Sequence, residues 1–477
     1  MFCYSTEYKL VKLALKHDFP TVMKMKLNHL SLDDAFSFVR EKGAIIVAVS
    51  GGSDSMAALF LSNVWAKKTG REIHAVTVDH GLRAEAAAEA AFVAMVCDRL
   101  DIIHTTLAWD GIKPTAGISA AARNARYDLI EEFARDIGVR IIVTGHTGDD
   151  QAETVLMRLR RTKLDKISSS RGHSGMSRRT LLSGGTLLLR PFLDVTRVQL
   201  RSYLNDISQS WIEDPSNYDE IYERIRIRNE LRDDTKKKSD LLRYSAVMGR
   251  MREVLSKATA KLLGDCCKLK FGQVFNLNIA KLREAPKPVC LMAIKVAIAG
   301  AGGGPYLVSD QQLQSVLEDL DNGNTRRLTL GNCVVDIGVD RLEIYRESRN
   351  LNSAVINPGE NHFWDGRLHI INDSQEPIRI EAMSADYITS AKKDRHCQFK
   401  LVRRSILLSS PLVTMASGLS VPVQFDRSSL PAQLELRSGA QAIENFCPEW
   451  DFALFEWVKS IDLQTSHSDL NNTIKGE

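Results

Sequence analysis

One stretch, Ala44-Ile45-Ile46-Val47-Ala48-Val49-Ser50-Gly51-Gly52-Ser53-Asp54-Ser55, limits what this chain can fold into more than any other. Its first six residues are Ala, Ile or Val without a charge, as expected of a strand buried on both faces of a sheet. Ser50 to Ser55 ends that strand, and Met56 to Lys68 carries Ala, Leu and Phe at helical spacing. The order is strand, glycine turn, helix. Two glycines let the backbone turn tightly and approach a ligand with no Cβ in the way, while Ser53, Asp54 and Ser55 put hydroxyls and a carboxylate at the helix start. The N–H groups of such a start attract anions, and phosphate is the expected guest. An ordinary glycine turn with a Ser/Asp cap needs no phosphate, but six specified residues on an apolar strand say far more than a Gly-Gly pair. No Gly-Lys-Ser or Gly-Lys-Thr occurs in the chain, so this is not a Walker A loop.

The following residues repeat the strand and helix alternation. Glu72 to Val78 reads as a second strand ending in Asp79-His80-Gly81-Leu82-Arg83, and an Ala- and Glu-rich helix runs on to Leu100. Ile102 to Leu107 reads as a third strand, Ser119 to Ile137 as a long amphipathic helix and Val139 to Val143 as a fourth strand. Such alternation predicts right-handed crossovers and a doubly wound parallel sheet, whose ligands sit beyond the carboxyl ends of the strands. Three polar clusters fall at those ends: Ser50 to Ser55, Asp79 to Arg83, and Gly145 to Thr154. In the third, Asp149, Asp150 and Glu153 crowd the start of a helix, where capping alone would account for them. Beside a phosphate loop they suit Mg²⁺, which takes one or two carboxylates plus phosphate oxygens. Asp54 and Asp150 are the candidate metal-side carboxylates, and His146 is a candidate contact to nucleotide or substrate.

Ser-Gly-Gly-x-Asp-Ser resembles the pyrophosphate loop of N-type ATP pyrophosphatases, enzymes that split ATP into AMP and pyrophosphate to activate a substrate oxygen. Four elements then occur in the order found in the bacterial tRNA(Ile)-lysidine synthetase family. They are Ser50 to Ser55, Val78 to Arg83, Ser119 to Arg123 with Arg126-Tyr127, and Gly145-His146 with Asp149 to Thr154. The likeness continues through Arg190 to Leu193, Trp211 to Asn217 and Tyr222 to Arg228, and covers about Ile45 to Arg228. The resemblance implies an adenine nucleotide alpha hydrolase-like fold and an ATP-dependent ligation. ATP adenylates the C2 oxygen of the wobble cytidine in the CAU-anticodon isoleucine tRNA, and free L-lysine then displaces AMP. It implies ATP and Mg²⁺ as cofactors, with Ser50, Gly51, Gly52, Ser53, Asp54, Ser55 and His146 at the nucleotide. Asp54, Asp150 and Arg123 would be catalytic, Arg123 by holding phosphate or substrate unless it is an ordinary surface arginine. The lysine pocket stays open among Asp79, Asp149 and Glu153.

The chain departs from that family twice. Between Arg160 and Met176 a longer, glycine-poorer stretch stands where the family has a short Gly-rich one, and Ile225 replaces the Asn of an Arg-Asn pair. Charge collects in the same regions. Arg158 to Arg179 holds eight Lys or Arg against Asp165 alone, and Arg224 to Arg252 holds ten more. A bland surface interleaves signs, so these clusters suit tRNA phosphates, with counterion release driving binding. Arg160, Arg161, Arg224, Arg228, Lys236, Lys237 and Lys238 are the candidate contacts. A solvated charged face is the plainer account of them.

At 477 residues the chain has room for several domains, and a net charge of +4 is too mild to attract a polyanion except through such local clusters. The eight cysteines include no Cys-x-x-Cys pair, which argues against zinc, iron–sulfur or disulfide frameworks and fits a reducing, cytoplasmic setting. No apolar run approaches the roughly 20 residues of a membrane span. A homodimer is compatible with the sequence, and Met23 or Met25 is an alternative start.

The expected layout is an extension and leading helix over 1–40, the catalytic domain over 41–230, a mainly helical tRNA-contacting domain over 231–350, a β-rich domain over 351–458 and a polar tail over 459–477. Two other functions fit the loop. A tRNA cytidine thiolase of the cluster-dependent type would carry the paired cysteines absent here, and a non-catalytic RNA-binding relative would not need an intact Ser-Gly-Gly-x-Asp-Ser. Relatives such as the GMP and asparagine synthetases would need an ammonia-producing glutaminase domain, for which no nucleophile element is evident.

Overall fold

The computed structural model describes residues 31–82, 85–111, 113–114, 116–161, 170–213, 221, 223–393, 397–400, 402–426 and 429–461. Expectations about 1–30 with Met23 and Met25, Arg83, the centre of the atypical 160–176 stretch, Asp214 to Asn217, Tyr222 and 462–477 lie outside those residues. The chain divides into two compact units, the first formed by residues to Arg252 with Pro448–Trp450 and the second by the rest.

In the first unit the apolar runs form strands β1 (Ile45–Ala48), β2 (Ile73–Asp79), β3 (Ile103–Ala108) and β4 (Ile141–Thr144). The intervening helices are α1 (Ser53–Thr69), α2 (Ala86–Arg99) and α3 (Ile118–Asp136). After β4 come α4 (Gly148–Arg161), β5 (Arg179–Leu182), β6 (Leu187–Leu189), α5 (Arg197–Asp206), α6 (Glu223–Leu231) and α7 (Thr235–Cys266), the last of which belongs to the second unit from Glu253 onward. The six strands lie in the order β5-β6-β4-β1-β2-β3 within a seven-stranded sheet, and among them only the β5/β6 pair is antiparallel. Val47 sits between Ala75 and Val143, so β1 is central.

The chain steps from β1 outward through β2 and β3, then returns to lay β4 on the other side of β1. That reversal opens a crevice at the carboxyl end of β1, where sheets of this kind hold ligands. Both faces are covered, as the uncharged run at 45–48 requires. Ile46, Val76, Ile142 and Leu188 pack with Tyr127, Ile130 and Ala134 of α3, while Ile45 and Val47 are fully buried on the opposite side, toward α1.

The boundary expected at residue 231 falls inside a continuous packing unit. Leu241, Tyr244, Val247 and Met248 of α7 bury with Ala152, Val155, Leu156 and Leu159 of α4 and with Ile227 and Leu231 of α6. The second unit is richer in strands than the helical pattern suggested. Strands β7 (Cys267–Lys270), β8 (Val274–Asn278), β9 (Arg326–Leu330), β10 (Cys333–Ile337) and β11 (Arg341–Arg346) form an antiparallel sheet ordered β7-β8-β11-β10-β9. The three strands between Arg326 and Arg346 pair with one another at one end of it. Strands β7 and β8 sit within a few residues of the end of α7, too short to show a period of two. Helix α8 (Lys287–Gly302) packs on this sheet, and α9 (Asp310–Asn322) follows it. The β-rich C-terminal region consists of a four-stranded and a three-stranded sheet between Ala354 and Ser438.

Candidate active site

The loop after β1 turns because Gly51 takes a positive φ of +83°, and Gly52 caps α1 in extended geometry without a side-chain bond. Ser55 fixes the turn, its hydroxyl donating to the Gly52 carbonyl (3.0 Å) and accepting from the Ser50 N–H (3.1 Å). The Met56 N–H is the first to find the α1 ladder, through the Gly52 carbonyl. The N–H groups of the preceding turn are the orphan donors that make a helix start anion-seeking. Gly145, just past β4, lies against this turn: a Cβ there would be 2.5 Å from the Asp54 carbonyl oxygen. The end of β4 therefore touches the start of α1, bringing the first and third polar clusters of the sequence to one place.

A cavity of about 1040 Å³ opens there. Its walls include Ser50, Gly52, Ser53, Asp54, Ser55, His146, Asp149, Asp150, Glu153, Arg197 and Arg224, with an apolar corner of Ala48, Val78, Tyr127 and Ile130. Arg197, the first residue of α5, joins the carboxylates. It is set by a capping box in which the Thr196 side chain accepts from the Gln199 N–H. The Arg197 guanidinium donates to Asp54 Oδ2 (2.8 Å) and Asp150 Oδ1 (3.2 Å) and lies 3.7 Å from Glu153, while its backbone N–H donates to Asp149 (2.7 Å).

Asp150 is saturated. Arg224 adds a second bond to Oδ1 (2.8 Å), and the Thr147 N–H and hydroxyl both donate to Oδ2 (2.9 and 2.8 Å). Glu153, its side chain 2 % exposed, accepts from Arg224 (2.7 Å) and Arg228 (2.9 Å).

The electrostatics follow from this sharing. Burial pushes the Asp54 carboxyl above its ordinary range. Arg197 pulls it down, but that guanidinium is divided among several carboxylates, and the nearby Asp150 charge adds to the upward push. Burial acts on Asp150 in the same sense. There Arg224 and Arg197 outweigh it and hold the group ionised well below the usual carboxylate range. For Arg197, burial favours deprotonation and is overcome by Asp150 and Asp54. His146 is pushed down to about 3 by burial and by Arg190, so its ring, with Nδ1 2.8 Å from the Thr144 hydroxyl, is neutral throughout the physiological range.

The residues singled out in the sequence are placed unevenly. Ser50 to Ser55, Asp54, Asp150 and His146 meet at the cavity. Arg123 is exposed on α3 with its guanidinium 5.1 Å from the Tyr127 ring, and the arginine of that helix lining the cavity is Arg126. The supposed phosphate contacts are put to another use. Arg224 and Arg228 face Glu153, and Lys238 is 2.8 Å from Asp149. Arg160 and Lys237 both pair with Glu230 (2.6 and 2.7 Å), and Arg161 pairs with Glu223. A run of three lysines on a helix points in three directions, and of the three only Lys236 is exposed. Ile225 is buried, as befits an apolar residue on the inner side of α6.

Arg197, Arg201 and Glu213 were missed by sequence reasoning. Arg197 and Arg201 stand one helical turn apart, a spacing that puts both on one face, but nothing local shows that this face meets a loop 143 residues earlier.

The donor set fits a magnesium ion, with a condition. Among the described residues Asp54 Oδ1 has only the Ser53 hydroxyl, at 3.2 Å, whereas Asp150 would have to exchange a guanidinium for the metal. Among the described residues no group of three or more His, Cys, Asp or Glu is arranged to hold a metal unaided. A bound Mg²⁺ would therefore draw its remaining oxygens from phosphate and water. No helix among the described residues is long and apolar enough to cross a membrane.

Comparison with known proteins agrees with this geometry. Residues 20–235 match the PP-loop domain family. The chain is 33 % identical over 446 residues to the tRNA(Ile)-lysidine synthase of Brucella anthropi, covering 91 % of this chain and 96 % of that one. It is 35 % identical to the enzyme of the same name from Mesorhizobium japonicum, covering 88 % and 92 %, and 36 % identical to that of Rhizobium meliloti, covering 72 % and 77 %. Among solved structures, the U34-tRNA thiolase of Methanococcus maripaludis aligns with 46 % of this chain and 78 % of its own at 15 % identity and a TM-score of 0.38, too slight a likeness to carry an argument.

Proposed function

Because the chain belongs to the tRNA(Ile)-lysidine synthase family, we propose that it joins free L-lysine to C2 of the wobble cytidine of the CAU-anticodon isoleucine tRNA, at the expense of ATP. The observation that supports this best is the pairing of a glycine turn at a helix start with buried, arginine-neutralised carboxylates in one cavity large enough for a nucleotide and a base.

The cytosine C2 carbonyl oxygen is a poor leaving group. It attacks the α-phosphorus of ATP, the bond from that phosphorus to the β-phosphate oxygen breaks, and pyrophosphate departs with the electron pair. The lysine side-chain amine then attacks C2, and AMP leaves with the former carbonyl oxygen. In this reading the loop N–H groups take charge developing on the phosphates, which preorganised donors stabilise strongly in a water-poor site. Asp54, with Asp150 once a guanidinium withdraws, would hold Mg²⁺, which supplies positive charge to the departing pyrophosphate. The apolar corner of Ala48, Val78, Tyr127 and Ile130 suits the adenine ring. The buried carboxylates around Glu153 are matched in charge to the lysine amines, with Arg224 and Arg228 as the cations that would be displaced. Arg123 remains proposed for phosphate or substrate, its guanidinium 5.1 Å from the ring of Tyr127, which lines the cavity. The reading assigns the enzyme to the cytoplasm.

The test is direct. Purified protein is mixed with ATP, magnesium, radiolabelled lysine and tRNA transcripts, and label is expected only in the isoleucine tRNA bearing CAU. Label in no transcript, or equally in methionine tRNA, would remove the reading.

For tRNA contact the geometry favours Lys236 and Arg243, both exposed on α7 and seven residues apart, hence on one face. Arg243 pairs only with Asp240, one turn before it, among the bonds described. Lys236→Ala is expected to weaken tRNA binding and lower the salt slope by about 1. Lys237→Ala, whose ammonium belongs to Glu230, leaves the slope unchanged. Equal slopes for the two variants would make the α7 face an ordinary solvated surface.

A further inference from the structure

The proposal concerns Arg201 and rests on the reading of the cavity as the site of ATP cleavage. Arg201 lies one turn after Arg197 on α5, and its guanidinium reaches the mouth of the glycine turn. Its Nε donates to the Ser53 hydroxyl (3.2 Å), Nη2 donates to Glu213 (2.9 Å), and the ring of Trp211 lies 5.6 Å from its central carbon. Trp211 also donates its indole N–H to Glu213 (2.8 Å). The segment carrying Trp211 and Glu213 is tied to the turn, because the Ile212 N–H donates to the Gly51 carbonyl (2.9 Å). A Cβ on Gly51 would lie 2.9 Å from Ile212 Cδ1. Arg201, Glu213 and Trp211 are thus fixed to the same piece of backbone that presents the orphan N–H groups.

The two arginines of α5 differ in what surrounds them. Arg197 is four-fifths buried and shared among Asp54, Asp150 and Glu153, so its charge is spent on the protein. Arg201 is 39 % exposed, and its carboxylate partner, Glu213, is 45 % exposed. Exposed pairs of that kind contribute little and are readily exchanged. A planar guanidinium also matches phosphate oxygens in a forked, two-point geometry that a carboxylate and a phosphate can compete for.

We propose that Arg201 is the cation that meets the pyrophosphate half of ATP, and that Glu213 holds it beside the turn until the nucleotide arrives. As the bond from the α-phosphorus to its bridging oxygen breaks, the electron pair stays on pyrophosphate. The Arg201 guanidinium lies on the Ser53 side of the turn to receive that charge, while Trp211 supports the face of the guanidinium. The AMP half, on the far side of the breaking bond, makes no use of it.

Binding of magnesium pyrophosphate and of AMP to the full chain, measured separately by calorimetry, tests this without RNA or lysine. Arg201→Met is expected to weaken pyrophosphate about tenfold or more while leaving AMP within about twofold, and Arg201→Lys to fall between, since an ammonium keeps the charge but not the fork. Glu213→Gln is expected to tighten pyrophosphate about threefold by freeing the guanidinium. Arg201→Met binding pyrophosphate as wild type does, or losing AMP in equal measure, overturns the proposal, as does wild type showing no pyrophosphate binding. Should Arg201→Met not fold, Glu213→Gln decides alone, and unchanged or weaker pyrophosphate binding counts against it. Failure of the lysine-transfer assay, with these affinities as expected, would sink the substrate assignment and leave this subsite standing.

Discussion

Asp54→Asn is expected to cut pyrophosphate release by about 10³-fold, because it removes the one carboxylate at the turn that has an oxygen to spare for a metal on the phosphates. The same change should not unfold the protein. Burial raises the Asp54 pKa in the folded chain above its value in the unfolded chain, so the protonated form is the one folding favours. The stability linked to this group is present at low pH and lost as pH rises through the raised value. Once ionised, the side chain is a net cost that the neutral isostere relieves. Melting curves should therefore show Asp54→Asn no less stable than wild type near pH 8, with the difference shrinking toward the carboxylate range. A variant that keeps full turnover removes Asp54 from the chemistry, and one that melts markedly lower shows that its bond to Arg197 outweighs its burial.

Glu153→Gln carries the largest expected effect on stability. Arg224 and Arg228 bond directly to a carboxylate whose side chain is 2 % exposed, and Arg197 stands 3.7 Å away. Glutamine keeps the shape and loses the charge, stranding guanidinium groups in a buried network. Removing one partner of such a network costs about 3–5 kcal/mol, which for a unit of this size lowers the melting temperature by on the order of 10 °C. Adding Arg228→Leu should recover part of the loss, since the double change removes a stranded cation. A single variant melting within about 2 °C of wild type would mean that Arg224 and Arg228 find other partners at no cost.

Much of this was legible in the residues. The uncharged run at 45–49 and the Ser-Gly-Gly-Ser-Asp-Ser that follows gave strand, turn and helix, and the alternation to Val143 gave the parallel sheet. These are local patterns, written in consecutive residues. The lysidine synthase resemblance, carried by motifs up to Arg228, agrees with relatives matched over most of the chain.

What escaped was of another kind. Arg197 is a lone arginine after a threonine cap, and its meaning comes from Asp54 and Asp150, 143 and 47 residues away. The basic character of 224–238 was plain, but sequence counts charges without saying which way they face. In the fold, Glu153, Asp149 and Glu230 take up most of them. Strands β7 and β8 escaped because Cys267 to Asn278 is too short and too close to a long helix to show its period.

Gly145 sets a rule for anyone randomising this protein. With the Asp54 carbonyl 2.5 Å from where its first side-chain carbon would sit, the position has no room for even a methyl group, and the obstacle is main chain, which no rotamer change can move aside. A saturation library there should return glycine almost alone among active clones. Position 53 is buried too, but its limits are side chains, the Asp54 carboxylate and the Arg201 guanidinium each 3.2 Å away, so other small polar residues should be tolerated there. Neighbours across the same few ångströms would thus differ in how freely they drift: one locked by backbone geometry, the other open to tuning.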